Sequence, residues 1–412
     1  MQNNKYLKSE SLSILLFCFM FLMYAVVYMT KNMFSSAMAS IVEDGFMTKS
    51  QTGLINAVYW LTYSVFQVFG GFAADRYSPY KLIMIGLVGA TVANIVIYFD
   101  QRYYVMMAAW AFNAVIQFGI WPAIFKVFST QISPSMRGTA VFWMLFSTSV
   151  GLGLSMLVAS FVSHWQQNFL VSIISLLIII VIYAILNPFL EKRMVEGDAA
   201  IQNNRKIETD KAPMLPLMFS SGLIMFTIVS VLRIAVDNGI KMLTPVMLME
   251  SYDTLPAAIA TRISSILIIF SAFGTFLAGF IKNKITANEA KAQILLYFSS
   301  LVPLVVVLFI SRIHYIWILL SLSISVMLVH GASPFNQSYA SLRFEKHGRI
   351  GTVSGILNAA ASAGNILASY IFAKMSEIMP WYGVASSWVI AVIVCGMLCV
   401  FVLHTWGRFI KK

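Results

Sequence analysis

The sequence predicts an all-α membrane protein with twelve transmembrane helices arranged as two six-helix bundles. Hydrophobic residues make up 59% of the 412 residues and charged residues 11%, with a mean hydropathy of +0.81. A soluble chain of this length needs more charge on its surface. Polar breaks leave twelve apolar segments, each with the ~20 residues that cross a bilayer. A long polar segment, Glu191 to Ala212, separates the first six from the last six.

The twelve predicted spans follow one another with short connections. They cover residues 12–40, 50–74, 81–100, 104–128, 138–163, 168–190, 215–249, 258–281, 290–311, 314–341, 350–376 and 382–406. The first begins like a signal peptide, but its apolar run is too long and lacks a small-residue cleavage site, so we expect it to be retained. The predicted domains are residues 1–190 and 215–412, joined by a cytoplasmic linker at 191–214.

The distribution of basic residues predicts the orientation in the membrane. An even number of spans puts both termini on one side, and assigning that side to the cytoplasm places most of the 28 Lys and Arg residues there. This bias satisfies the positive-inside rule. The net charge of +12 therefore reflects membrane topology and does not require nucleic acid as a partner.

Several function classes are disfavoured by what the sequence contains. The three cysteines lie in apolar runs, which suggests neither a disulfide framework nor a zinc site. No phosphate loop, metal-spaced His/Cys cluster or catalytic arrangement stands out. We therefore expect no enzyme activity, no cofactor and no metal, and a monomer whose partners are the lipid bilayer and a small molecule.

A short repeat links the two halves and predicts a cytoplasmic gate. The stretch GFAADR, from Gly71, recurs as GFIKNK from Gly279, and RGTAV, from Arg137, recurs as RIGTV from Arg349. Two matches at nearly one offset favour a duplicated six-span unit. The predicted gate residues are Asp75, Arg76, Arg137, Asn283, Lys284 and Arg349. The alternative for Asp75 and Arg76 is a pair of solvated loop charges.

The stretch GGFAADRYSPYK resembles the loop signature of the major facilitator superfamily, and the spans, linker and repeat extend this resemblance over the whole chain. A narrower resemblance is to the organophosphate:phosphate antiporters, which include glycerol phosphate and hexose phosphate transporters. It rests on YMTKNMFSSAM in span one, SPYK after the Asp-Arg pair, GIWPAIFK in span four and RGTAVFWMLFSTSVG in span five. The resemblance implies a secondary transporter that works by alternating access.

The phosphate-binding positions of that family are not kept in this sequence. The family uses arginines on spans one and seven, a histidine on span five and a lysine on span two. Those positions correspond here to Thr30, Asp237, Thr148 and Gln67, although Arg233 lies one turn from Asp237. A tyrosine and a tryptophan of the family are matched by Tyr63 and Trp121, for which simple packing is the alternative role. The spans and loop motifs resemble those of a phosphate-ester antiporter, but the residues that bind phosphate in that family are replaced here.

Span seven carries three ionisable residues on one helical face. Arg233, Asp237 and Lys241 are spaced i, i+4 and i+8. The repeat maps Lys31 onto Asp237, so we expect these two to meet across a central cavity, since burying either ion alone is costly. The four groups sum to +2, which predicts an anionic ligand. The alternative is an ion-pair ladder that only fixes helix packing.

The predicted substrate-binding residues are Lys31, Tyr63, Gln67, Trp121, Arg233, Asp237 and His330. His330, near the middle of span ten, could exchange protons with the cavity or simply bond a neighbouring helix. The expected function is secondary active transport of a small organic anion (a sugar acid, a carboxylate or an organophosphate) across a bacterial-type inner membrane, coupled to a proton or a counter-anion. The alternatives are a multidrug or metabolite exporter of the same fold and a transporter-like ligand sensor.

Overall fold

The computed structural model describes residues 5–144, 146–196, 213–312, 314–344, 347 and 349–410. The first six spans are formed by α1 (Glu10–Lys31) with α2 (Met33–Glu43), α3 (Lys49–Arg76), α4 (Pro79–Phe99), α5 (Tyr103–Ile116) with α6 (Ile120–Thr130), α7 (Arg137–Met144) with α8 (Phe146–Phe161), and α9 (Gln167–Glu191). A short 3-10 helix, Pro134–Met136, precedes α7.

The last six spans are formed by α10 (Met214–Ser221) with α11 (Leu223–Ser251), α12 (Ala257–Ser264) with α13 (Ile266–Lys284), α14 (Glu289–Val307), α15 (Tyr315–Gly331) with α16 (Ala340–Leu342), α17 (Ile350–Ile366) with α18 (Phe372–Ile378), and α19 (Trp381–Phe409). Spans ten and eleven each contain a π-helical turn, Phe335–Tyr339 and Leu367–Ile371. A 3-10 helix, Ile310–Arg312, follows α14.

The predicted twelve-helix membrane fold is confirmed. Within the described residues, ten helices are long and apolar enough to cross a membrane. The two other spans are α3, which is 28 residues long but less apolar, and span five, whose α8 is a shorter apolar helix. Thresholds on hydropathy and helix length would therefore miss two spans that the polar breaks in the sequence delimit.

The sequence did not predict a small β-structure at one end of the first half. Strand β1 (Lys5–Leu7) pairs antiparallel with β2 (Met194–Glu196), so the start of the chain lies beside the residues that follow span six. The backbone N–H of Leu7 also donates to the carbonyl oxygen of Gln131, at 2.8 Å, in the connection between spans four and five. These three segments share one end of the helices, as the predicted topology requires. Most of the predicted linker, residues 197–212, lies outside the described residues.

Contacts divide the chain into two compact units. The first unit contains Met1–Ala37 and Leu61–Arg205, and the second contains Met38–Trp60 and Lys206–Lys412. Unlike the predicted domains, which stay a prediction, these units assign the hairpin Met38–Trp60 to the C-terminal half. Close backbone packing requires a glycine in this hairpin, because a Cβ atom at Gly53 would overlap the carbonyl oxygen of Ser369.

Candidate functional site

In the first unit, the ammonium group of Lys31 lies among three tyrosine rings, which we call the tyrosine cage. Its Nζ is 4.2 Å from the ring centroid of Tyr28, 5.0 Å from that of Tyr63 and 5.6 Å from that of Tyr24. A cation over an aromatic face is attracted by the ring quadrupole, and this attraction is strongest where water is excluded. Lys31 is buried, so the three rings stabilise its charge where water cannot.

A break in span one places Lys31 at the end of a helix. Helix α1 ends at Lys31, and the backbone N–H of Asn32 turns back to the carbonyl oxygens of Met29 and Thr30. The side chain of Asn32 donates to the carbonyl oxygen of Tyr28 at 2.7 Å, which further closes the helix end. The break therefore holds Lys31 and Tyr28 in a defined position relative to each other.

Trp121 extends the tyrosine cage toward span four. Its ring centroid lies 4.6 Å from that of Tyr24 and 4.7 Å from that of Phe125. Gln67 is half-buried on α3, one turn after Tyr63. The structure thus brings Lys31, Tyr63 and Trp121 into one aromatic region, and their roles in substrate binding stay a prediction. Sequence reasoning missed Tyr24 and Tyr28, although their spacing from Lys31 puts them on the same helical face.

In the second unit, four side chains form what we call the charged cluster: Arg233, Asp237, Lys241 and His330. Lys241 Nζ lies 2.7 Å from Asp237 Oδ1. His330 Nδ1 lies 2.8 Å from Asp237 Oδ2, and Arg233 Nη1 is 4.0 Å from the same oxygen. The i, i+4 spacing on α11 therefore gives one close ion pair, Asp237 with Lys241, and one loose ion pair, Asp237 with Arg233. The contact of His330 with Asp237 joins span ten to span seven.

Burial differs sharply within the charged cluster. The side chains of Arg233, Asp237 and Lys241 are 0%, 2% and 7% exposed, whereas that of His330 is 25% exposed. Among the described residues, no hydrogen-bond acceptor meets Nε, Nη1 or Nη2 of Arg233. A buried donor without an acceptor costs about 1–3 kcal/mol, and more when it is charged. The guanidinium of Arg233 is therefore suited to bind an acceptor that the chain itself does not supply there.

The predicted pairing of Lys31 with Asp237 stays a prediction, because the two residues belong to different units. Within its own unit, Asp237 already has three basic neighbours. Lys31 in turn has three aromatic neighbours in its unit. Each ion thus has contacts within its own unit.

The six predicted gate residues lie at or beside helix ends in the described part of the chain. Asp75 and Arg76 end α3, Arg137 begins α7, Asn283 and Lys284 end α13, and Arg349 directly precedes α17. Arg76, Asn283 and Lys284 are exposed. Arg137 Nε donates to the carbonyl oxygen of Ile132 at 3.2 Å, which ties it to the connection after span four. The gating role of these residues stays a prediction.

Sequence reasoning missed a buried carboxylate at the start of span nine. Glu289 is 2% exposed, with Arg343 Nε 2.7 Å from its Oε1 and Trp406 Nε1 donating to its Oε2 at 3.0 Å. The contacts join spans nine, ten and twelve within the second unit. The position of Glu289, an isolated acid at the start of an apolar segment, could have indicated a buried carboxylate. Its partners could not be identified, because they are 54 and 117 residues away in the sequence.

A second missed set of contacts involves the hairpin Met38–Trp60. Lys49 Nζ lies 2.9 Å from both carboxylate oxygens of Glu250 and donates to the carbonyl oxygen of Ser376 at 2.9 Å. Trp381 Nε1 also donates to Glu250, at 3.0 Å. Lys49 thus connects the hairpin to spans seven and eleven, and Trp381 of span twelve contacts the same carboxylate as Lys49. Elsewhere, no group of three metal-ligating His, Cys, Asp or Glu side chains occurs among the described residues.

Comparison with known proteins agrees with this architecture. The family model of the Major Facilitator Superfamily matches residues 20–369. The chain is 23% identical to a probable hexose phosphate transport protein of Chlamydia trachomatis serovar D, over 95% of this chain and 90% of that protein. It is 29% identical to the membrane sensor protein UhpC of Salmonella typhimurium, over 32% of this chain and 29% of the sensor. These relatives confirm the resemblance to the organophosphate:phosphate antiporters.

Solved structures share the fold. The crystal structure of a D-xylose-proton symporter has a TM-score of 0.72 with this chain, at 14% identity, and the similarity covers 97% of this chain and 98% of the symporter. At this identity the similarity concerns the fold alone.

Proposed function

Because the chain belongs to the Major Facilitator Superfamily, and is therefore a multi-pass membrane transporter, we propose that it moves a small organic anion across the cytoplasmic membrane by alternating access. In this proposal both termini lie in the cytoplasm and the cargo binds at the charged cluster. The observation that carries the proposal is the excess of buried positive charge in the charged cluster.

The charged cluster holds two basic side chains, Arg233 and Lys241, against one carboxylate, Asp237. An uncompensated buried ion costs several kcal/mol. Arg233 is the member with only a loose contact to Asp237, and its planar fork of donors matches a carboxylate or phosphate. Lys31 is a further buried basic residue, in the first unit, and lies among three tyrosine rings. This excess favours an anionic cargo over a neutral or cationic one.

The cargo we favour is a sugar acid or related carboxylate, with an organophosphate as the nearest alternative. With His330 neutral, the charged cluster has one net positive charge, which suits a monoanion better than a dianionic phosphate ester. The hexose phosphate transport protein among the relatives is the reason to keep phosphorylated sugars in the test panel.

The test is thermal stabilisation of the purified protein by D-gluconate, D-glucuronate and glucose 6-phosphate, with D-glucose and choline as neutral and cationic controls. A ligand that binds only the folded protein raises its unfolding temperature. We expect stabilisation by at least one anion and loss of that stabilisation in Arg233→Gln, while Arg233→Lys recovers little because it lacks the planar fork. Arg312→Gln, at an exposed arginine, is the matched control. Unchanged anion affinity in Arg233→Gln would remove Arg233 from the site.

A ligand sensor is the second candidate, favoured by the similarity of one third of the chain to the membrane sensor protein UhpC. A sensor predicts binding of the anion without flux. Uptake of the radiolabelled anion into proteoliposomes separates the two functions, because a transporter equilibrates the vesicle interior whereas a sensor saturates at the amount of protein present.

A further inference from the structure

We propose that the charged cluster binds one proton, on the imidazole of His330, together with the anion, so that the protein is an anion–proton symporter. This inference rests on the proposed function and adds its coupling ion. The observation behind it is that His330 shares the carboxylate of Asp237 with two cations while remaining the most exposed member of the cluster.

The geometry identifies the nitrogen that exchanges the proton. His330 Nδ1 lies 2.8 Å from Asp237 Oδ2, which is a hydrogen-bond distance, so with an ionised Asp237 the Nδ1 atom carries hydrogen and donates it. Lys241 Nζ lies 3.4 Å from the same Nδ1 atom. Because both groups are then donors, they form no hydrogen bond with each other. This leaves Nε2 as the atom that gains or loses a proton. Imidazole is the side chain that ordinarily changes charge between about pH 5 and 8.

Close packing holds His330 in this position. The adjacent Gly331 lies against Gly274 of span eight, and a Cβ atom at Gly274 would overlap the carbonyl oxygen of Met327. Spans eight and ten therefore approach at backbone distance at the residue that follows His330. A ring held this way can exchange a proton without losing its bond to Asp237.

The charged neighbours of His330 explain why the proton and the anion should bind together. Arg233, Asp237 and Lys241, all on α11, are the charged side chains that act on it within the described residues. Helices α13 and α14 also pack against α15, and their charged side chains lie at the helix ends. The phenol of Tyr297 is buried on α14. These charged end residues are Lys282, Lys284, Glu289 and Lys291.

Two cations already face the single carboxylate, so a third positive charge on His330 is unfavourable until an anion arrives. An anion bound at Arg233 supplies the missing negative charge and makes protonation favourable. By reciprocity, protonation must strengthen anion binding by the same factor.

The resulting cycle is balanced in charge and atoms. A hydronium ion in the water on the loading side gives its proton to Nε2, and one monoanion binds. Both are released to the water on the other side, so no net charge crosses the membrane. The empty protein then returns with a neutral imidazole, leaving Asp237 paired with Lys241 as in the structure.

The experiment measures proton uptake when D-gluconate or D-glucuronate is mixed with the purified protein in weakly buffered detergent solution containing a pH-indicator dye. Both carboxylates are fully ionised from about pH 6 to about pH 8, so a proton that disappears from solution has bound to the protein. We expect wild type to take up as much as about one proton per anion bound. Its affinity for the anion should fall with rising pH, by at most about tenfold per pH unit.

His330→Gln should bind the anion more weakly than wild type at acid pH, without pH dependence and without proton uptake. His404→Gln changes an exposed histidine on α19 and is the matched control that should behave as wild type. Anion binding by wild type without proton uptake would overturn the symport proposal alone. Proton uptake that persists in folded His330→Gln would overturn the assignment to His330. Failure of D-gluconate, D-glucuronate and glucose 6-phosphate to bind would overturn the proposed function as well. The wild-type measurement decides the main point even if His330→Gln does not fold.

Discussion

The tyrosine cage and the charged cluster stabilise buried cations in two different ways. In the first unit, Lys31 lies against the faces of three tyrosines, which carry no formal charge. In the second unit, Lys241 pairs at 2.7 Å with Asp237, the residue that the internal repeat maps onto Lys31. Equivalent positions of a duplicated unit thus carry opposite charges with unlike partners. The difference shows that the halves diverged in chemistry while keeping the same helical frame.

The largest expected effect comes from removing the carboxylate of the charged cluster. Asp237→Asn leaves Arg233 and Lys241 buried beside each other without a counter-charge. Breaking a buried ion pair in this way typically costs about 3–5 kcal/mol. We expect a corresponding fall in the unfolding temperature of the purified protein. Wild-type stability would mean that water already solvates this cluster.

A smaller loss is expected at the other buried carboxylate of the second unit. Glu289→Gln removes the charge that faces Arg343 but keeps an oxygen that can accept from Trp406. Arg343 is 37% exposed on its side chain, so water can solvate it after the change. We expect a loss of about 1–3 kcal/mol, the range for hydrogen bonds to charged groups. A loss as large as that of Asp237→Asn would show that burial of the carboxylate outweighs exposure of its partner.

The tyrosine cage should respond less to the loss of one ring. Tyr28→Leu removes the ring nearest to Lys31 and should cost about 1 kcal/mol, because the other two rings remain. Tyr28→Phe keeps the aromatic face and is the matched control. Chemical denaturation of both variants checks the difference. Equal losses in the two variants would mean that the hydroxyl group matters and the cation–π contact does not.

The smallest effect on stability is expected at Lys31 itself. Lys31→Met removes the ammonium group and keeps an apolar chain of similar reach against the three tyrosine rings, so the change should stay within about 1 kcal/mol. Chemical denaturation of this variant and of Asp237→Asn checks the difference. If Lys31→Met were as unstable as Asp237→Asn, the predicted pairing of these two residues would gain support.

Much of the frame was predictable from sequence because hydropathy and helical spacing are local properties. The polar breaks delimited span two and span five, although α3 falls short of the apolarity of the other ten and α8 falls short of their length. The i, i+4 and i+8 positions of Arg233, Asp237 and Lys241 were enough to predict one charged face, and the contacts to Asp237 confirm that face. The strand pair of Lys5–Leu7 with Met194–Glu196 was not predictable, because three residues carry too little pattern to identify a partner so distant in the chain.

The sequence by itself determined the number of spans, the duplicated halves and the identity of the ions in the membrane. Only the tertiary structure decided which partners those ions have. Asp237 contacts His330, which is 93 residues away in the sequence, and Glu289 contacts Trp406, which is 117 residues away. Helical periodicity relates only residues within one helix, so it cannot predict such pairs. The physical reason is that a buried charge takes the compensation that helix packing brings within about 3 Å. Around Asp237 that compensation includes an imidazole and a lysine, and around Lys31 it includes three aromatic rings.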